Sequence, residues 1–428
     1  MNEALLQTTQ EAAPETKLPW DIFLFLTALF LIAQHDWFFS LTGADSFGTT
    51  VDEFTSLVDQ GSIVRRIAFS CLGIFAAARL LLTRSRGFTV NVALGRLILL
   101  FLSWAFLSLS WSEHSLLASK RLALLGILWF SGIVFSQRLS PREILLWVFF
   151  STLVYLHIGL LAEITLGTFH PAAGEYRFAG TIHPNSQGVN CALLFITSLF
   201  MITTDRRWRR FALATAGESL VFLFLTKSRA SLGFALIAPL IYWSLTLPSS
   251  RKVFICSCFG TLSSLLLLTA ANLLPALHHV VSLGRKDSDS LTLTGRIPLW
   301  EQLVTFISKR PVQGYGFDSF WTSNHVADVA SEQGWAVTQA HSSYIDLCLG
   351  LGLVGVTVYV IILTLAVRLT FRYVGTPSGD GHAFSGVIII FVMLNGLLES
   401  IFIYPDHVSF VSILILTSLG FSSFKVKL

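Results

Sequence analysis

About twelve apolar stretches follow one another along this chain, each near the roughly 20 residues a helix needs to cross a bilayer. Backbone N–H and C=O groups cannot go unpaired in lipid, so each stretch is predicted to be a helix. The first six bounds read as Trp20–Phe39, Ile67–Leu82, Val92–Leu109, Leu117–Phe135, Ile144–Leu166 and Gly188–Thr203. The other six read as Phe211–Leu225, Leu232–Leu247, Val253–Leu274, Tyr344–Val367, Phe384–Ile403 and Val408–Phe424. Several are short for a straight crossing, and the seventh and eighth suit broken or tilted helices. Composition agrees, with 53% hydrophobic and 13% charged residues, against roughly 25% charged in soluble domains. The predicted fold class is an all-α polytopic membrane protein with about twelve spans and one large loop between the ninth and tenth. A polar tail over 1–18 precedes a membrane block over 19–274, a loop over 275–343, and a second membrane block with its tail over 344–428. The first apolar run lacks a small-residue cleavage site and is read as an uncleaved span.

Basic residues orient the spans. Alternate connections carry Arg84 and Arg86, Arg138 and Arg142, a run from Arg206 to Arg210, Arg251 and Lys252, Arg368 and Arg372, and Lys425 and Lys427. The intervening ones are acidic or mixed, so both termini are predicted to be cytoplasmic and the large loop outside. The formal charge of +4 reflects this topology, and nucleic acid is not an expected partner. All five cysteines (Cys71, Cys191, Cys256, Cys258, Cys348) fall in apolar runs, without disulfide or metal spacing. No internal repeat of the kind built into many transporters is visible.

Chemistry-bearing residues gather at the predicted outer ends: Glu113 and His114, Lys120 and Arg121, His183-Pro184-Asn185, Lys227-Ser228-Arg229, then Arg296, Arg310 and His341 in the loop. So many cations on one face suit an anionic ligand, because guanidinium groups offer planar, bidentate donors to phosphate. Snorkelling to lipid headgroups is the competing account of any single arginine. Arg229 opens a helix, where backbone N–H groups add to its field, and Arg296 sits in a small-residue turn away from the membrane edge. His341 lies in A-H-S-S-Y, where Ser342 or Ser343 would cap the tenth span; an imidazole there could take a proton near neutral pH. The same position also suits an interfacial histidine that only bonds a loop carbonyl.

Other motifs carry less. Gly350-Leu351-Gly352-Leu353-Val354-Gly355 matches a dinucleotide fingerprint but lies within an apolar span, and is read as a close helix-packing face. Asp287-Ser288-Asp289 resembles a metal-binding D-x-D, but lies on a side where nucleotide sugars are absent. No metal and no cofactor is expected. Glu218 and Glu399 fall within predicted spans, where a carboxylate is costly and invites a functional role. Asn395 and Glu399 are placed one turn apart on one helix face.

Together, L-T-G-R-x-x-L-W at Leu293–Trp300, R-P-x-x-G-Y-G-F-x-x-F-W at Arg310–Trp321 and A-H-S-x-Y at Ala340–Tyr344 resemble the superfamily of O-antigen ligases and Wzy-type polysaccharide polymerases. The pattern is most similar to exopolysaccharide polymerases. Weaker echoes lie at Trp111–Leu122, Gly180–Gly188 and Thr226–Ser231. Many relatives have His-Asn where this chain has His341-Ser342, and a Glu where it has Leu349. The resemblance implies a metal-independent, inverting transferase in a bacterial inner membrane, acting on an undecaprenyl-diphosphate-linked oligosaccharide and a glycan acceptor. Flippase and chain-length regulator proteins are further implied partners. His341 would be the general base; Arg229 and Arg296, with Arg121 and His183, would hold the diphosphate; Trp300, Trp321 and Tyr344 would stack on sugars or pack the loop. Three readings stand: a polymerase of repeat units, a ligase that caps lipid A-core, and a flippase or other transporter without chemistry. Arg310, before Pro311, suits an anchor for the loop.

Overall fold

The computed structural model describes residues 18–42, 62–82, 88–90, 92–204, 206–247, 251, 295–333, 337–376, 379–402 and 404–423. The first helices are α1 (Trp20–Gln34), α2 (Phe39–Thr42), α3 (Ile63–Leu82), α4 (Val92–Leu107) and α5 (Ser115–Ser136). Next come α6 (Pro141–Leu166), α7 (Pro184–Thr204), α8 (Arg209–Leu225) and α9 (Arg229–Thr246). The loop region holds α10 (Arg296–Lys309) and α11 (Ser323–Gln333), and α12 (Ser343–Thr370), α13 (Gly379–Asn395) and α14 (His407–Gly420) complete the set. Two three-residue strands, β1 (Phe88–Val90) and β2 (Phe421–Ser423), pair antiparallel.

Six of the described helical segments are long and apolar enough to cross a membrane: Trp20–Thr42, Ala93–Ser110, Ser115–Ser136, Pro141–Leu166, Pro184–Thr204 and Ser343–Tyr373. α3, α8 and α9 coincide with further expected spans, whereas α13 and α14 are apolar but shorter. The ninth expected span, Val253–Leu274, lies outside the described residues.

Local sequence sets several boundaries. Ser140 caps α6 in a capping box with Glu143, Pro141 fills the first helical position, and Gly167 ends the helix at φ +69°. Asp406 caps α14 by accepting from Ser409 N. α14 is buried on nearly every side, as a helix apolar all round must be, and it packs on α5, α4 and α6. α12 packs on α4 and α13, and α7 on α6 and α8.

The bundle has two ends. At one, Arg138 Nη2 donates to Arg79 O at 2.6 Å and Tyr242 meets Phe371 with ring centroids 5.2 Å apart. The other gathers the starts of α5, α7, α9, α12 and α14 and the ends of α1, α4, α6, α8 and α13. There the loop folds as a small helical unit, with Leu299, Leu303, Tyr315, Phe320, Trp321 and Val326 in a core of its own.

The loop is built into α12. Gly352 breaks this helix at φ +66°, ψ −171°. The freed groups find partners: Leu353 N donates to Pro311 O (2.8 Å), while Leu349 O and Gly350 O accept from Tyr315 N (2.7 Å) and Gly316 N (2.9 Å). Trp104 Nε1 donates to Leu351 O at 3.0 Å. Broken backbone inside a membrane bundle is tolerated only when its polar groups are met in this way. The glycine run read as a helix-packing face instead receives the backbone of R-P-V-Q-G-Y-G. A Cβ on Gly352 would lie 2.1 Å from Val312 O, and one on Gly314 2.6 Å from Leu349 O. Gly352→Ala is therefore expected to melt well below the unsubstituted protein, with backbone strain of roughly 1–3 kcal/mol added to the clash. Thermal unfolding of detergent-purified protein measures it, and an unchanged transition would refute this role for the break.

The same loop is fastened to the α4–α5 connection. Arg310 Nη2 pairs with Glu113 at 2.6 Å, Trp111 Nε1 donates to Gln313 O at 3.2 Å, and Phe317 N donates to Ser108 Oγ at 2.9 Å. Arg121 bonds the carbonyl of Asp318 and pairs with its carboxylate at 3.3 Å. The motif echo around Trp111–Leu122 is thus, in this structure, a docking face for the loop.

Candidate functional site

His341 stands where the loop enters α12, at φ +49°. Its neighbour Ala340 is held on both sides: Trp300 Nε1 donates to Ala340 O at 2.8 Å, and Ala340 N donates to Asp346 Oδ1 at 3.0 Å. The Asp346 carboxylate also accepts from Trp321 Nε1 at 2.8 Å and from the Ser400 hydroxyl. Ser342 occupies the cap position without a side-chain capping bond, which corrects the expected capping. Ser343 instead ties α12 to the segment after α13: its hydroxyl donates to Glu399 O at 2.8 Å and accepts from Ile401 N at 2.7 Å.

That segment departs from the expected span. α13 ends at Asn395, and residues 396–402 run as turns and irregular chain, so Asn395 and Glu399 do not share a helix face. The Glu399 carboxylate accepts from Arg296 Nη2 at 2.8 Å and from Asn185 Nδ2 at 3.0 Å. Asn185 in turn accepts from Arg177 Nη2 at 2.7 Å, and Arg177 Nε donates to Thr226 O at 3.0 Å. A continuous polar chain therefore links the start of α10, the turn after α13, the start of α7 and the turn before α9. Burial pushes the Glu399 carboxyl up, while the Arg296 guanidinium and the Asn185 amide pull it down.

His183, Asn185, His341 and Glu399 line one wall of a cavity of about 500 Å³; Gln34, Arg65, Asp406 and His407 line another. Burial, then the Arg296 and His183 charges, bring the His341 imidazole down to about 3. It is therefore unprotonated at neutral pH. The loop bearing His183 is shaped by Glu163, whose carboxylate accepts from Ala179 N (2.9 Å), Gly180 N (2.7 Å) and the Tyr176 hydroxyl.

The residues singled out in the sequence separate into groups. His341, His183 and Arg296 come together, Arg296 reaching the wall through Glu399. Arg229 opens α9, three residues after the Thr226 carbonyl that Arg177 holds. Arg121 is engaged with Asp318, away from this wall. Trp321 is only 3% exposed and its indole is committed to Asp346, so it offers no open face for a sugar and serves the loop's core. Trp300 positions Ala340. Tyr344 donates to Met393 O at 3.0 Å and packs edge-on against Phe402. Glu218, in α8, pairs with His157 at 3.2 Å. Asp287 and Asp289 lie outside the described residues.

Three residues of this architecture escaped the sequence reading. Asp346 is a lone acid in the first turn of an apolar helix, which was a usable signal. Arg177 is an arginine on the acid-rich side of the bundle, against the charge rule. Glu163 ends a long apolar run and carried no other sign.

Residues 211–360 match the family model described as O-antigen ligase. This stretch contains Arg229, Arg296, the loop, His341 and the break at Gly352. The chain is also 26% identical over 234 residues to the exopolysaccharide production protein ExoQ of Rhizobium meliloti (strain 1021), a match covering 49% of this chain and 51% of that one. The chain thus spans about half the length of the curated relative it matches. The apolar helices, together with the similarity of residues 211–360 to a membrane-protein family, mark a multi-pass membrane protein.

Proposed function

We propose that the protein is an inverting glycosyltransferase that joins undecaprenyl-diphosphate-linked oligosaccharide repeat units into exopolysaccharide at the outer face of a bacterial inner membrane. The observation that supports this reading is the meeting of His341, His183 and Glu399 at one cavity, with Arg296 bonded to Glu399. In this account both termini are cytoplasmic, about twelve spans surround the site, and the loop over 275–343 is periplasmic. His341 accepts the proton of the acceptor hydroxyl as its oxygen attacks the anomeric carbon. The bond from that carbon to the diphosphate oxygen breaks, the leaving group keeps the electron pair, and Arg296 and Arg229 meet its growing charge. Attack opposite the leaving group inverts the centre. The similarity to an exopolysaccharide production protein favours polymerisation; the family description favours a second reading, transfer of finished glycan to lipid A-core.

The test is incubation of purified protein with lipid-linked repeat units, with and without lipid A-core, all in excess chelator, followed by separation of products by size. A ladder without lipid A-core supports the polymerase, and product only with it supports the ligase. No product in chelator, with activity restored by Mg²⁺ or Mn²⁺, would defeat the metal-independent reading.

The pH dependence follows from the depressed imidazole. A free-enzyme base near 3 is already competent across the neutral range, so kcat/KM should show no acid limb near the usual histidine value of about 6.5. A limb centred there, lost on replacing His183, would move the base to His183. Stability carries the same signature. Unfolded His341 titrates near 6.5 and the folded group near 3, so the unfolded state binds the extra proton between those values. This contribution to stability is therefore lost as pH falls through that window, with no effect above it.

A further inference from the structure

The second wall of the cavity differs in chemistry from the first. Gln34 spends its side-chain carbonyl on His407 N (3.1 Å), at the point where α1 ends and α14 begins. Arg65, at the start of α3, spends Nε on Ala33 O at 3.1 Å. Asp406 uses one oxygen to cap α14 through Ser409 N at 2.6 Å. His407 is 2% exposed; its Nε2 meets Ser151 Oγ at 3.0 Å, and its Nδ1 has no partner among the described residues. All four residues line the cavity. Each keeps bonding capacity beyond these contacts: an amide N–H₂, the terminal guanidinium nitrogens, carboxylate lone pairs and an imidazole nitrogen. A buried polar atom without a partner is costly, and the residue that carries this one lines the cavity.

The mixture of groups selects the ligand class. Asp406 beside Arg65 leaves this wall near neutral and disfavours a second phosphate. Donors and acceptors interleaved within one pocket match vicinal hydroxyls, each of which donates and accepts. The wall is also joined to the first: Asp36 N donates to Thr181 O at 2.8 Å and His35 Nδ1 meets Thr181 Oγ1 at 2.6 Å, two residues before His183. We propose that Gln34, Arg65, Asp406 and His407 form a hydroxyl-reading subsite for a neutral sugar ring of the acceptor glycan, in the same cavity as His183, Asn185, His341 and Glu399. The assignment to the acceptor rests on the transferase reading above; the binding of a neutral saccharide does not.

The test uses the full chain in lipid nanodiscs and two probes: inorganic pyrophosphate, and the unphosphorylated oligosaccharide cleaved from the exopolysaccharide of the source strain. Asp406→Asn keeps the helix cap, since Asn caps as well as Asp, and Arg65→Gln alters an exposed side chain. Each should weaken oligosaccharide binding by about tenfold or more, with pyrophosphate binding unchanged. Arg296→Gln should do the reverse. Oligosaccharide affinity unaffected by both substitutions would overturn the subsite, as would absence of oligosaccharide binding to the unsubstituted protein. Parallel loss of both probes in Asp406→Asn and Arg65→Gln would overturn the separation of the walls. Pyrophosphate binding that ignores Arg296→Gln, with the oligosaccharide arm as expected, would leave the subsite standing and defeat the diphosphate clamp.

Discussion

His341→Ala should lower glycan transfer by about 10²–10⁴-fold while the protein remains folded in the membrane, the range typical of losing a general base. The geometry makes this substitution clean. Trp300 and Asp346 grip Ala340, and Ser343 grips the turn after α13, so the histidine side chain is not what closes the loop onto α12. Alanine meets the same left-handed backbone cost at φ +49° as histidine does. His341→Asn is the control, since Asn enters that region more readily yet cannot take the proton. Both variants should reach the membrane at normal levels and melt near the unsubstituted protein, and both should fail to extend lipid-linked repeat units. Normal product from the Ala variant would remove His341 from the chemistry and leave His183 on the same wall as the next base to test.

How far the fold could be read beforehand depended on what each inference used. Helix positions rested on local apolar length, and α5, α6, α7 and α12 fall where that length put them, give or take a few residues. The turn after α13 failed because L-L-E-S-I-F-I reads as continued apolar helix. Ser343 meets the backbone there, donating to the carbonyls of Gly396 and Glu399. That is a tertiary contact and leaves no local trace. For the site, cationic type was legible but pairing was not. Arg296 meets Glu399, which lies 103 positions away, and Arg121 meets Asp318, 197 away. Only the folded chain shows that Arg310 and Arg121 fasten the loop while Arg296 bonds Glu399, a residue that lines the cavity. The glycine run shows the same limit: its small size was visible, but the backbone it admits was not.

The arginines yield the second large effect. Lys at 296 should keep the charge and lose on the order of 10²–10³-fold in turnover, the cost commonly seen when one electrostatic partner of a developing anion is lost. A guanidinium can hold Glu399 with one N–H and still present others to a phosphate oxygen, whereas an ammonium is a single compact donor. Arg296 is well placed for such a division: it holds Glu399 at 2.8 Å, with 14% of its side chain exposed. Arg229→Lys should fall in the same direction, since its helix start adjoins the Thr226–Arg177–Asn185 chain that ends on Glu399. Arg310→Lys should differ. Arg310 pairs with Glu113 at 2.6 Å and lies 4.8 Å from the Tyr315 ring. A lysine can replace most of that half-exposed contact, whose worth is about 1 kcal/mol or less. The ordering is the test, measured as rate of chain extension with the three variants at equal membrane levels. Damage at 296 and 229 but little at 310 is the expected pattern. Equal activity in all three would make these arginines structural anchors and place the diphosphate elsewhere. A defect confined to 310 would instead make the clamp between loop and α5 the feature that governs turnover.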